Sequence, residues 1–234
     1  MKETLKRNVC LSISALWFGL AVPLSAETIF DNSATDLTLR FNPGLLQVGD
    51  EIMLGGTERN LTYFSFEYWG TASGASFAGN VQAQVRMYYN PPGGTTFNGY
   101  PIPAEMFYDS GLFSVPSPTE RSTFIFTPGP NPDDLPVGGL LIANDDITWT
   151  VQFSGMGTGD SVGLDLYSPP VVGEEVGDFG DYWQYNGGWA LMTNSVGPMD
   201  FGAVMATPEP SSLTLSILGG LGILIATRRF RRKE

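Results

Sequence analysis

The sequence contains no histidine, and its single cysteine, Cys10, lies close to the start. A Ser-His-Asp triad, a cysteine–histidine nucleophile or an imidazole general base cannot be assembled from such a chain. Zinc loses its usual nitrogen and sulfur ligands for the same reason. Lysine is confined to Lys2, Lys6 and Lys233. Between Glu27 and Pro210 only Arg40, Arg59, Arg86 and Arg121 are basic, against 22 acids, which leaves that stretch a formal charge of −18. A body so acidic repels phosphate backbones and anionic lipid surfaces, so nucleic acid is excluded as a partner. No phosphate-cradling glycine loop is present, and the stretch between the two ends shows no helical period. Catalysis would have to rest on carboxylates alone, as in two-carboxylate glycoside hydrolysis. The abundance of acids does not identify such a pair, and we expect no enzyme.

What is present begins at the two ends. Lys2, Lys6 and Arg7 precede a mostly apolar run from Val9 to Leu24, and Ser25 and Ala26 are small. This is the layout of a secretory signal peptide over residues 1–26, cut after about Ala26 by a signal peptidase of the secretion machinery. Cys10 stands at the front of the apolar run instead of at its end, so it is discarded with the peptide. The exported body then has no cysteine, and its fold holds without disulfides.

The last 27 residues carry three features in order. Pro208-Glu209-Pro210 disfavours helix and reads as an extended hinge. Residues 211–227 contain no charge and reach roughly 25 Å as a helix, just enough to cross a bilayer core. Arg228, Arg229, Arg231, Arg232 and Lys233 then form a basic cluster of the kind retained on the cytoplasmic side. In this order and at this position, the segment 207–234 resembles the PEP-CTERM sorting signal of exported bacterial proteins, a module also catalogued as an ice-binding-protein C-terminal domain. The resemblance covers the tail only and carries no ice-binding meaning for the body. It implies a temporary membrane anchor, recognised at the Pro-Glu-Pro motif by an exosortase-like membrane protease, and an association with exopolysaccharide or the outer cell envelope. A permanent C-terminal anchor is the alternative.

The body, residues 27–206, reads as β structure. Val81, Ala83, Val85, Met87 and Tyr89 alternate with Gln82, Gln84, Arg86 and Tyr88, and Ile147, Trp149, Val151 and Phe153 alternate with Thr148, Thr150 and Gln152. That period of two marks half-buried strands. Further strands are expected over 37–41, 61–69, 123–127, 162–167, 189–193 and 201–205. Turn signals such as Asn90-Pro91-Pro92-Gly93-Gly94 separate them. The expectation is an all-β, antiparallel β-sandwich, with a jelly roll as one form of it.

Two groups of residues in the body could hold a ligand. Tyr182, Trp183, Tyr185 and Trp189 crowd a glycine-rich, acidic stretch, and exposed rings beside polar groups hold sugars well. Asn144, Asp145 and Asp146 directly precede a strong strand and offer oxygen ligands suited to Ca²⁺, although their spacing matches no EF-hand. The bland readings are core packing for the rings and solvated turns for the acids. The expected function is a non-enzymatic exported surface or matrix protein, exported through the inner membrane and anchored with its C-terminus cytoplasmic until processing. A carbohydrate-binding module is the alternative, and a secreted glycan-acting enzyme the second.

Overall fold

The computed structural model describes residues 26–178, 180–194 and 197–208. The expected signal peptide up to Ser25, Glu209 and Pro210 of the sorting motif, the segment 211–227 and the basic cluster lie outside the described residues. Residues Glu27–Pro208 form one compact unit.

The strands run in chain order as follows. The first six are β1 (Thr28–Asp31), β2 (Asp36–Phe41), β3 (Gln47–Met53), β4 (Asn60–Leu61), β5 (Tyr63–Thr71) and β6 (Gln82–Tyr89). The next six are β7 (Thr96–Phe97), β8 (Tyr100–Pro101), β9 (Glu105–Asp109), β10 (Phe113–Ser114), β11 (Thr119–Phe126) and β12 (Leu140–Leu141). The last six are β13 (Asp146–Ser154), β14 (Ser161–Tyr167), β15 (Glu174–Glu175), β16 (Asp181–Tyr185), β17 (Trp189–Thr193) and β18 (Ala203–Ala206). Among the described residues there is no helix, and so none long and apolar enough to cross a membrane.

The protein is all-β, and its named strands pair antiparallel throughout, consistent with a β-sandwich. One large sheet is built on β5, which pairs β11 along one edge and β14 and β18 along the other; β2 extends β14 and β1 extends β18. The second is built on β13, flanked by β6 and β3; β9 and β10 extend β6, and β15 and β16 share the far edge of β3, with β17 outermost. Successive long strands change sheets: β2, β5, β11 and β14 lie in the first, β3, β6 and β13 in the second.

The alternation read from sequence decides which way each strand faces. Ile147, Trp149, Val151 and Phe153 of β13 are fully buried, as are Phe64 and Phe66 of β5. These sets meet: Trp149 packs edge-on against Phe64 with ring centroids 5.5 Å apart, and lies 6.1 Å from Phe66. Aromatic pairs of this kind contribute beyond the area they bury. The opposite faces of β6, β13 and β3 carry Gln84, Arg86, Tyr88, Thr150, Gln152 and Gln47, and this polar side of the second sheet forms the site below.

The central strand β3 has no apolar alternation in its sequence because Asp50 stands on its inward face between Val48 and Ile52. All three are buried. Asp50 Oδ2 accepts the backbone N–H of Phe201 at 2.6 Å, which ties the second sheet to the segment entering β18.

Candidate functional site

The hairpin β16–β17 places the late aromatics. Asn186, Gly187 and Gly188 form its tip; Gly187 takes φ +74°, a left-handed conformation that suits glycine. Tyr185 and Trp189 face each other across the hairpin, with centroids 5.1 Å apart. Alternation sends neighbouring residues to opposite sides, so the four rings expected to form a platform are divided. Tyr182 turns inward and packs edge-on against Phe41 at 5.1 Å and Phe201 at 6.1 Å. Trp183 is wholly buried: it lies opposite Gly49, where any Cβ would meet the backbone of Trp149 and Thr150, and donates its indole N–H to Glu51 Oε2 at 2.7 Å. Trp183 therefore cannot present a ring face to a ligand, and the half-buried Tyr182 packs away from Tyr185 and Trp189, which corrects the expectation of a single four-ring platform. Tyr185, 40 % exposed, and the half-buried Trp189 remain at the surface.

They are joined by residues not singled out from sequence. Tyr88 of β6 packs edge-on against Trp189 at 5.1 Å. Beside these rings lies a groove of about 560 Å³ lined by Leu45, Gln47, Arg86, Tyr88, Met106, Gln152, Tyr185 and Trp189, among others. None of its lining side chains is Asp or Glu among the described residues.

The groove floor is a locked polar network. Arg86 donates from Nη1 to Gln47 Oε1 (2.9 Å) and Gln152 Oε1 (3.3 Å), from Nη2 to Gln84 Oε1 (2.6 Å) and from Nε to Asp109 Oδ2 (3.2 Å). Gln47 donates from Nε2 to the Tyr88 hydroxyl (3.0 Å) and Thr150 Oγ1 (2.8 Å), and Gln152 Nε2 donates to the Leu45 carbonyl (3.0 Å). Planar amides and a guanidinium fixed in this way present donors and acceptors without further ordering, which favours a polar ligand. Period two had already put Gln84, Arg86 and Tyr88 on one face; what it could not supply is the hairpin laid over them.

Asn144, Asp145 and Asp146 are not gathered around one point. Asn144 and Asp145 are exposed, and Asp145 is bound by Arg59, whose Nε lies 2.6 Å from Oδ1. Asp146 turns instead toward Glu51, whose carboxyl is pushed up to about 8 by burial first, with Asp146 adding to it and the Trp183 bond opposing. Among the described residues no group of three or more acidic side chains stands ready-made to hold a metal ion. Asp160, another loop acid, is a structural pin: its carboxylate accepts the backbone N–H groups of Ala78, Gly79 and Gly157 at 2.8–2.9 Å.

No family model, curated protein or solved structure matches this chain.

Proposed function

We propose that this chain is an exported, non-enzymatic cell-surface or extracellular-matrix protein that holds glycan in the groove of its second sheet. Residues 1–26 are its signal peptide. Residues 207–234 are its PEP-CTERM signal, with Pro208-Glu209-Pro210 as the recognition motif, 211–227 as the transient membrane helix and Arg228 to Lys233 as the cytoplasmic stop. An exosortase-like protease then releases the body to the surface or matrix, where exopolysaccharide is its partner. The two large sheets are the layers of a sandwich wound like a jelly roll: β2–β14, β3–β13 and β5–β11 are nested pairs around β6, with successive members on alternate sheets.

One observation carries the processing part of this reading. The backbone N–H of Thr207 donates to the carbonyl of Glu27 at 2.9 Å, and β1 pairs with β18. The fold therefore begins one residue after the expected N-terminal cut and ends one residue before the Pro-Glu-Pro motif. Cleavage at both places leaves every strand intact. The glycan part rests on the groove, where ring faces take the C–H side of a sugar and the amide network takes its hydroxyls. The released body, without Glu209, carries a formal charge of −17, which selects neutral chains over acidic ones because like charge opposes association.

Intact-mass analysis of the protein from its native host tests the first part: a mass ending near Pro208 is expected, and a full-length tail overturns it. Co-sedimentation with the host's own polysaccharide tests the second. Binding should be lost in Trp189→Ala and kept in Tyr182→Phe; equal binding by both refutes the groove.

A further inference from the structure

The hydrogen bonds of the groove floor leave one proton without a protein acceptor. A guanidinium only donates, so every amide oxygen that meets Arg86 is fixed in place, among them Gln47 Oε1 at 2.9 Å and Gln152 Oε1 at 3.3 Å. Gln47 must then turn its NH₂ group to the Tyr88 hydroxyl (3.0 Å) and to Thr150 Oγ1 (2.8 Å), and it donates to both. The Thr150 hydroxyl passes its own hydrogen to the Arg86 carbonyl at 3.1 Å, which closes that branch. Tyr88 accepts from Gln47, and its own hydrogen has no acceptor among the described residues. Burial raises this hydroxyl above the ordinary tyrosine value, against the opposing Gln47 bond and Arg86 charge, so it keeps its proton through the neutral range.

The groove is not polar throughout. Met106 of β9 is the cross-strand partner of Tyr88, lines the groove with it and is 48 % exposed. Side chains opposite one another in an antiparallel pair share a face, so the thioether lies beside the Tyr88 ring. Trp189 meets the same ring edge-on from the hairpin. Tyr88 thus stands between an aromatic face and an apolar chain, with one free donor at its tip. A bare hydroxyl laid against Met106 would give up water without replacing its hydrogen bonds. These neighbours instead favour a ligand group that carries an acceptor oxygen and a small apolar end together.

Building on the glycan reading of this groove, we propose that it selects sugars bearing an acetyl group: the Tyr88 hydroxyl donates to the acetyl carbonyl, the methyl packs on Met106, and the sugar face lies on Trp189. An acetyl carbonyl accepts without bringing a hydrogen of its own that needs a partner. Its methyl covers apolar surface that a hydroxyl would leave wet. The group is uncharged, so it meets no repulsion from an acidic body. Gln47 and Gln152 also line the groove, and the second lone pair of each amide oxygen can accept from the remaining sugar hydroxyls. Tyr88 and Met106 are then the residues that set specificity, while Trp189 binds any sugar that fits.

The test titrates the full chain, in a detergent without a sugar headgroup, with two neutral probes: an N-acetylglucosamine tetramer and the glucose tetramer of the same linkage. They differ only in an acetamido group in place of one hydroxyl on each sugar. Calorimetry and tryptophan fluorescence should show the acetylated tetramer binding about tenfold more tightly, as one added hydrogen bond and one covered methyl would give. Tyr88→Phe should cut that ratio to about threefold or less, and Trp189→Ala should lose both probes. Met106→Ser, at an exposed position, should shrink the ratio in the same direction and carries the test if Tyr88→Phe does not fold. Equal affinities in the wild type, a ratio unchanged in the folded variants, or no binding of either tetramer at about 10 mM overturns the acetyl preference. The groove itself is judged separately: host polysaccharide that still co-sediments with the wild type, and not with Trp189→Ala, keeps the glycan reading while the acetyl preference falls.

Discussion

The indole N–H of Trp183 donates to Glu51 Oε2 at 2.7 Å, with both side chains buried on the side of the second sheet that carries the groove. The bond gives a buried carboxyl on a central strand a neutral donor. Replacing Trp183 by Phe keeps an aromatic ring but removes that donor, and a buried acceptor left without a partner costs roughly 1–3 kcal/mol. Urea denaturation should show the midpoint falling with an unchanged slope. An unaltered midpoint would mean that water or Asp146 takes over the acceptor fully.

The protein should be more stable at pH 5 than at pH 8. Burial pushes Glu51 up to about 8, Asp165 to about 7 against the opposing pull of Arg40, and Asp200 to about 6 against that of Glu175. A carboxyl whose value is raised by folding contributes stability that is complete below its unfolded value and is lost as pH rises through the folded one. Asp36 and Asp109 behave oppositely: burial opposes ionisation, but Arg40 for the first and Gln84 for the second prevail and hold them low. Their contribution disappears only in strong acid. Melting curves from pH 3 to 9 should therefore be highest near the ordinary carboxyl value, about pH 4, and decline toward pH 8; a temperature that climbs steadily to pH 8 contradicts the sign.

Arg86→Lys should weaken the groove more than a like-charge exchange suggests. The guanidinium makes four hydrogen bonds to Gln47, Gln152, Gln84 and Asp109 in a fixed fork that a single ammonium cannot reproduce. We expect a loss of about 1–3 kcal/mol in stability and weakened polysaccharide binding. Lysine at full affinity and full stability would show that charge alone matters at this position.

A chain ending at Gly202 should not fold, whereas one ending at Pro208 should. The first lacks β18, which pairs both β1 and β5 and contributes the buried Ala203 and Met205. Limited proteolysis and circular dichroism distinguish the two; a protease-resistant short form would show that β1 can pair β5 directly.

Wherever side chains alternate cleanly, the sequence was a sufficient guide. β6, β13 and β14 lie within a residue of their expected bounds because each buries one face in the core and leaves polar groups on the other. β3 was missed, although it is central, because Asp50 occupies an inward position and Gly49 an outward one. β16 was read as part of an aromatic stretch, since Asp181 and Gln184 break its pattern. The site was half legible for a related reason. Aromatic density drew attention to four residues, but the register of one hairpin sends Tyr182 into the core and seals Trp183 over Gly49, and register is a tertiary property. Gln47, Arg86 and Gln152 are ordinary surface residues in sequence and become a site only when three strands align them.

The pairing of the first and last strands also has a mechanical meaning. Any tension applied to the chain beyond Pro208 enters through β18, which is hydrogen-bonded along both edges, to β1 and to β5. A pull along that strand loads the rungs on both sides in parallel, so they must shear together instead of peeling apart one after another. A load carried by the chain after Pro208 would thus meet a double-sided clamp, and drag on the body would be spread over the two strands that flank β18.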